Sequence, residues 1–93
     1  MERILIAEDD IIARTLLETY LKSWAYEVIS TEDGIAAWNV LNSDNAPQIA
    51  ILDWLMPEMD GITLCEKIRK KKDSSYVYII LVTGKNMSED MVR

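Results

Sequence analysis

The side chains with chemical potential in this sequence stand where apolar runs end. Ile49-Ala50-Ile51-Leu52 leads straight into Asp53, and Pro57 follows four positions later. Ile4-Leu5-Ile6-Ala7 leads into Glu8-Asp9-Asp10, and the run from Val77 to Val82 ends at Thr83-Gly84. A short continuous apolar run reads as a strand buried on both faces, so each polar residue marks the point where a strand surfaces. Carboxylates gathered in one cleft resist ionising together unless a cation offsets them. Oxygen ligands with open positions suit Mg²⁺, which keeps several waters and accepts phosphate oxygens. A carboxylate beside such a metal can attack phosphorus and become an aspartyl phosphate. Asp53 is the best placed for that role, and a hydroxyl at Thr83 could hydrogen-bond a phosphoryl oxygen. Simpler roles stand beside these. Asp9 or Asp10 can cap a helix, Thr83 can be a polar strand end, and Asp60-Gly61 can be a turn and helix start. Asp53 differs because a charge at a buried strand end, beside Trp54 and Leu55, is costly without a partner or a role.

These residues are far apart in sequence, so the fold must bring them together. Strands are expected at 4–7, 26–30, 49–53 and 77–82, the second near an edge because it is the least apolar. A helix follows Asp10, with Ile12, Leu16, Leu17, Tyr20, Leu21 and Trp24 at helical spacing. A second starts at Asp33-Gly34, with Ala37, Trp38 and Leu41 on its buried face. A third starts at Asp60-Gly61, with Ile62, Leu64, Cys65 and Ile68 as its apolar stripe. A fourth is expected near Ser88. The order β-α-β-α-β-α-β implies right-handed βαβ units and a doubly wound parallel sheet in a single α/β domain. In such a sheet every strand's C-terminal end lies along one edge, where ligands bind. The first, third and fourth strands would meet there.

Composition narrows the function. Sixteen acids against ten bases give a net charge of −6, which disfavours direct binding of nucleic acid by this segment. The basic run from Arg69 to Lys72 falls at the expected C-terminal end of a helix, where cations offset the dipole. One cysteine and no histidine exclude an internal disulfide, a Cys/His zinc site and histidine acid–base chemistry. Cys65 reads as a small core residue. No apolar run has the length of a membrane span and no signal sequence precedes the first strand, so a cytoplasmic protein without membrane contact is expected.

Four stretches together resemble the receiver domain of two-component response regulators, the CheY-like branch of the flavodoxin-like folds. They are Ile4 to Asp10, Asp33-Gly34, Leu52-Asp53-Trp54-Leu55-Met56-Pro57-Glu58-Met59-Asp60-Gly61, and Leu81 to Gly84. The resemblance implies strand order 2-1-3-4. It implies a switch, not an enzyme: Asp53 accepts a phosphoryl group from a sensor histidine kinase or phosphotransfer protein in an Mg²⁺-dependent reaction. It also implies Asp9 as the direct metal ligand, Glu8 as the acid acting through water, and the Leu55 carbonyl as a main-chain ligand. Thr83 is implied as the switch hydroxyl, with Asp10, Pro57, Gly61 and Gly84 shaping the pocket and Met56 in the same loop.

The resemblance also shows a departure. Receivers continue into a fifth strand, which carries a lysine that pairs with the acceptor, and a fifth helix; residues 1–93 stop short of both. Lys85 does not match that lysine. The expectation is therefore an incomplete receiver domain whose fourth strand becomes an apolar edge, favouring a homodimer or strand-swapped oligomer. Leu55 offers no hydrogen bond to an attacking water, so slow aspartyl-phosphate hydrolysis is expected. The alternative is a receiver-fold interaction scaffold that is never phosphorylated. A haloacid-dehalogenase-type phosphatase fits less well, since it needs a second acid two residues after the first, where Leu55 stands.

Overall fold

The computed structural model describes residues 2–56, 58–71 and 77–82. The expected fourth helix, Pro57, Thr83, Gly84, Lys72 and Lys85 lie outside the described residues. Four strands, β1 (Arg3–Ala7), β2 (Glu27–Thr31), β3 (Ile49–Asp53) and β4 (Tyr78–Val82), alternate with three helices, α1 (Ile11–Ser23), α2 (Gly34–Leu41) and α3 (Gly61–Arg69). All strand pairs are parallel, and the order is β2-β1-β3-β4. The doubly wound sheet and its order are those read from the sequence.

Alternation along the strands sorts the core into two layers. Leu5, Ala7, Ala50 and Leu52 face α2 and α3, where Ala37, Leu41, Leu64 and Ile68 complete a closed cluster. Ile4 and Ile6 face the other way, towards Leu21 and Leu17 of α1. All three helices start on an aspartate. Asp10, Asp33 and Asp60 accept hydrogen bonds from the backbone N–H groups of Ala13, Ala36 and Thr63, at 2.8, 2.7 and 2.8 Å. Each cap is worth about 1 kcal/mol. Capping falls to Asp10, which leaves Asp9 available to the sheet edge.

The apolar face of α1 is wider than the layer it covers. Leu17 and Leu21 pack on the sheet, whereas Ile12, Leu16, Tyr20 and Trp24, spaced four apart, are exposed. Beside them a groove of about 570 Å³ is lined by Ile4, Leu21, Trp24, Ile49, Ile51 and Ile80. β3 is therefore closed on its Ala50 and Leu52 side and part-open on its Ile49 and Ile51 side, a difference from the strand buried on both faces that its composition suggests. β4 is the edge among the described residues, with Ile80 and Leu81 exposed. In α3 the buried pair is Leu64 and Ile68; Cys65 is half-buried and Ile62 is exposed, so the expected stripe is narrower by one residue.

Just past the Trp24 cap that ends α1, Ala25 takes a left-handed φ of 69° while its N–H donates to the Lys22 carbonyl at 3.0 Å. That conformation costs an L-residue about 1 kcal/mol, and glycine adopts it freely. The Ala25→Gly variant is expected to gain about 0.5–1 kcal/mol, read as a higher urea midpoint at unchanged slope.

Candidate functional site

The C-terminal edge of the sheet gathers the acids that the sequence separates. β1 ends one residue before Glu8, and β3 ends at Asp53 itself. Ala7 pairs with Leu52 in the β1–β3 register, so the two strand tips finish level. One carboxylate oxygen each from Glu8, Asp9 and Asp53 lies within 4.8 Å of the others. Asp53 is only 4% exposed and Glu8 only 7%. This is the juxtaposition that the strand-tip reading requires.

Hydrogen bonds fix the cup from below. The Glu8 N–H donates to the Thr31 carbonyl at 3.1 Å, extending the β1–β2 ladder by one bond. The Thr31 hydroxyl donates to the Ile6 carbonyl at 2.7 Å. Glu8 Oε2 accepts from the Asp10 N–H at 3.0 Å, which folds the acidic turn back on itself. On the other tip, the Trp54 N–H donates to the Val82 carbonyl at 2.8 Å, and Asp53 Oδ1 accepts a long bond of 3.4 Å from the Leu55 N–H. Asp9 Oδ1 is buried and has no hydrogen-bond partner. A buried charged oxygen without a donor is costly, and a cation is the natural partner for it.

Crowding has an electrostatic consequence. Burial pushes the Glu8 carboxyl up to about 7, and the neighbouring Asp53 and Asp9 carboxylates push in the same direction against the opposing Asp10 N–H bond. Without a cation, Glu8 thus holds its proton up to near-neutral pH. Asp60, outside the cup, moves the other way, because the Thr63 N–H at its helix cap holds it below the usual carboxylate range.

Close packing positions the strand that carries Asp53. A Cβ added to Gly61 would lie 2.5 Å from the Asp53 carbonyl oxygen, so α3 can start against β3 only with glycine there. The Gly61 N–H also donates to the Trp54 carbonyl at 3.0 Å, closing the β3–α3 loop. In that loop Glu58 takes a left-handed φ of 74°, and a Cβ on Gly34 would overlap the Met59 carbonyl. The loop is held between α2 and the start of α3.

The expected site residues divide accordingly. Glu8, Asp9 and Asp53 meet. Asp10 is exposed and acts as the α1 cap, with its backbone N–H on Glu8. The Leu55 side chain is 53% exposed beside Asp53, and Gly61 supports the Asp53 backbone. Two contributors were not evident from residue type alone. Arg14 donates from Nη1 to the Glu8 carbonyl at 2.7 Å, and Thr31 ties the end of β2 to β1. A cation early in a helix that follows an acidic run was the available signal for the first.

A doubly wound parallel sheet of order 2-1-3-4, with a three-carboxylate cup at its carboxyl edge, defines an α/β module whose candidate site lies where such sheets bind ligands. Residues 4–93 match the response regulator receiver domain, and the chain belongs to that family. It is 35% identical over 91 residues to the probable transcriptional regulator ycf27 of Porphyridium aerugineum, covering 98% of this chain and 36% of that protein. The chain thus spans about a third of the length of the ycf27 relatives it matches. A chain from the complex of histidine kinase ThkA with response regulator protein TrrA superposes with a TM-score of 0.79 at 37% identity, over 90% of this chain and 70% of that one. The receiver domain of sensor histidine kinase PA1611 from Pseudomonas aeruginosa PAO1, with a magnesium ion coordinated in its active-site cleft, gives 0.80 at 27% identity, over 99% and 75%.

Proposed function

We propose that residues 1–93 form a receiver domain in which Asp53 accepts a phosphoryl group from the phosphohistidine of a partner kinase or phosphotransfer protein. The supporting observation is the meeting of Glu8, Asp9 and Asp53 around the partnerless Asp9 oxygen. The donor set fits Mg²⁺, which prefers oxygen ligands and retains waters. Asp9 and Asp53 would hold it directly, Glu8 through water, and the Leu55 carbonyl would complete the protein ligands. Bound there, Mg²⁺ offsets the charge of the transferring phosphoryl group. An Asp53 carboxylate oxygen attacks phosphorus in line with the P–N bond. The P–O bond forms, the P–N bond breaks, and its electron pair returns to the imidazole nitrogen, which takes up a proton. The cup's fixed geometry holds the nucleophile for that approach.

The chain would serve as a switch and not turn over a substrate. Thr83 would follow the phosphoryl group, and Asp10, Pro57, Gly61 and Gly84 would shape the pocket. Coupling requires that phosphorylation favour one of two surfaces. A cytoplasmic setting fits this reading. No helix among the described residues is long and apolar enough to cross a membrane, and the net charge of −6 opposes nucleic-acid binding by this segment. Beryllofluoride with Mg²⁺ mimics the phosphoryl group and tests the reading. Saturable binding that Asp53→Ala removes is expected; no binding would favour the interaction scaffold instead.

Two further outcomes follow from this reading. The Leu55 side chain presents no donor or acceptor to water near Asp53. Leu55→Asn is expected to speed hydrolysis of the aspartyl phosphate several-fold, followed as loss of acid-labile phosphate after donor removal. The exposed row Ile12, Leu16, Tyr20 and Trp24, with β4 at the sheet edge among the described residues, favours pairing of two copies. Sedimentation equilibrium at micromolar concentration should give a dimer mass.

A further inference from the structure

The β1–β2 ladder has its last residue pair at Ala7 and Thr31, and Glu8 adds one more N–H bond to it. The Glu8 carbonyl lies past the last paired residue. It is a strong acceptor in a part-buried place, and leaving it unmet would cost roughly 1–3 kcal/mol. Arg14, the fourth residue of α1, reaches back and donates to it from Nη1 at 2.7 Å. The placement is unusual for a surface cation. A positive charge early in a helix opposes the helix dipole, so helix stability alone does not select arginine there.

The consequence is local to the cup. Three bonds now define the residue that carries two of its acids on and beside it. The Glu8 N–H is tied to Thr31, the Glu8 carboxylate to the Asp10 N–H, and the Glu8 carbonyl to Arg14. The peptide that follows that carbonyl is the one leading into Asp9. Rotation of this peptide would carry Asp9 Oδ1 away from Asp53, and Arg14 opposes that rotation.

We infer that Arg14 is a positioning residue for the acidic cup: by gripping the Glu8 carbonyl it sets the direction of Asp9 and so the cup's affinity for a divalent cation. The inference rests on the Mg²⁺ reading of the cup and concerns a residue that would not touch the ion. Its sign distinguishes it from two plainer roles. A guanidinium acting only as a nearby charge would repel Mg²⁺, so its removal would tighten binding. A guanidinium acting only as a strand-end cap would change stability and leave the affinity unaltered.

Calorimetric titration of the chain with MgCl₂ at pH 8 decides between them. Arg14→Met, which keeps the stem and loses the donor, is expected to weaken Mg²⁺ binding three- to tenfold. Arg14→Lys, which keeps one donor and the charge, should recover at least half of that loss. Unchanged or tighter binding in Arg14→Met would overturn the inference. If Arg14→Met does not fold, Arg14→Gln carries the same test, its shorter amide stem falling short of the carbonyl: weaker binding supports the inference, and unchanged or tighter binding overturns it. Failure of the parent chain to bind Mg²⁺ would overturn the site reading as well, which separates the two failures.

Discussion

Asp53→Asn is expected to abolish phosphoryl acceptance and, in metal-free buffer at pH 8, to raise the stability of the chain. The first effect follows from chemistry. An amide has nearly the shape of the carboxylate but lacks the anionic oxygen that attacks phosphorus. No labelled protein should form with Mg²⁺ and a kinase or small-molecule phosphodonor, against stoichiometric labelling of the parent. The second effect follows from the geometry of the cup. Asp53 is buried among like charges, with oxygen atoms of Glu8 and Asp9 within 4.8 Å. Removing one charge relieves that repulsion, which is about 3–4 kcal/mol for each pair of unit charges at this separation in an effective dielectric near 20, and screening by solvent leaves part of it as net stabilisation. For a domain of this size each kcal/mol moves the thermal midpoint by about 4–8 °C. A variant that still carries acid-labile phosphate would remove Asp53 from its role. A midpoint that falls in EDTA at pH 8 would show that the carboxylates support one another more than they repel.

The trade-off explains why the site could be read from sequence while its support could not. Apolar runs ending in acids are local patterns, and parallel topology turns strand ends into a common edge. Two such ends sufficed to predict that Glu8, Asp9 and Asp53 would meet. Aspartates before Ala13, Ala36 and Thr63 are equally local, so the helix starts were legible too. The face of α1 was not. Ile12, Leu16, Leu17, Tyr20, Leu21 and Trp24 span about half of the helix circumference, and only the contacts with Ile4 and Ile6 select Leu21, with Leu17 partly buried beside it, as the inward side. The hold of Arg14 on Glu8 depends on the direction of a long side chain across the β1–α1 turn, which spacing does not encode. Gly61 shows a middle case. Its presence after Asp60 marks a helix start, yet its reason is the Asp53 carbonyl 2.5 Å from where a Cβ would stand. The expected contributions of Thr83 and Gly84 fall outside the described residues and rest on the family pattern.

The Glu8 contribution to metal-free stability should run opposite to that of a carboxylate stabilised in the fold, such as Asp60. A carboxyl in the unfolded chain titrates near 4.5, whereas burial, then the neighbouring Asp53 and Asp9, raise Glu8 in the fold to about 7. Below 4.5 both states hold the proton, and the Glu8 contribution is fully present. Between 4.5 and 7 only the folded state holds it, so stability falls by about 1.4 kcal/mol per pH unit. Above 7 the loss is complete, at most about 3 kcal/mol. A divalent cation reverses the sequence: ionised Glu8 is what the ion requires, so Mg²⁺ must displace a proton below pH 7 and none above it. Affinity for Mg²⁺ should therefore rise by up to about tenfold per pH unit from pH 5 and level off above 7. The stability added by a fixed Mg²⁺ concentration should grow over the same interval. Urea midpoints at pH 5.5, 6.5 and 8 with EDTA and with Mg²⁺ would display both trends, and Glu8→Gln should flatten them because its amide does not titrate. Parallel curves with and without Mg²⁺ would mean that the ion and the Glu8 proton do not compete, and the water-linked role of Glu8 at the metal would then have to be given up.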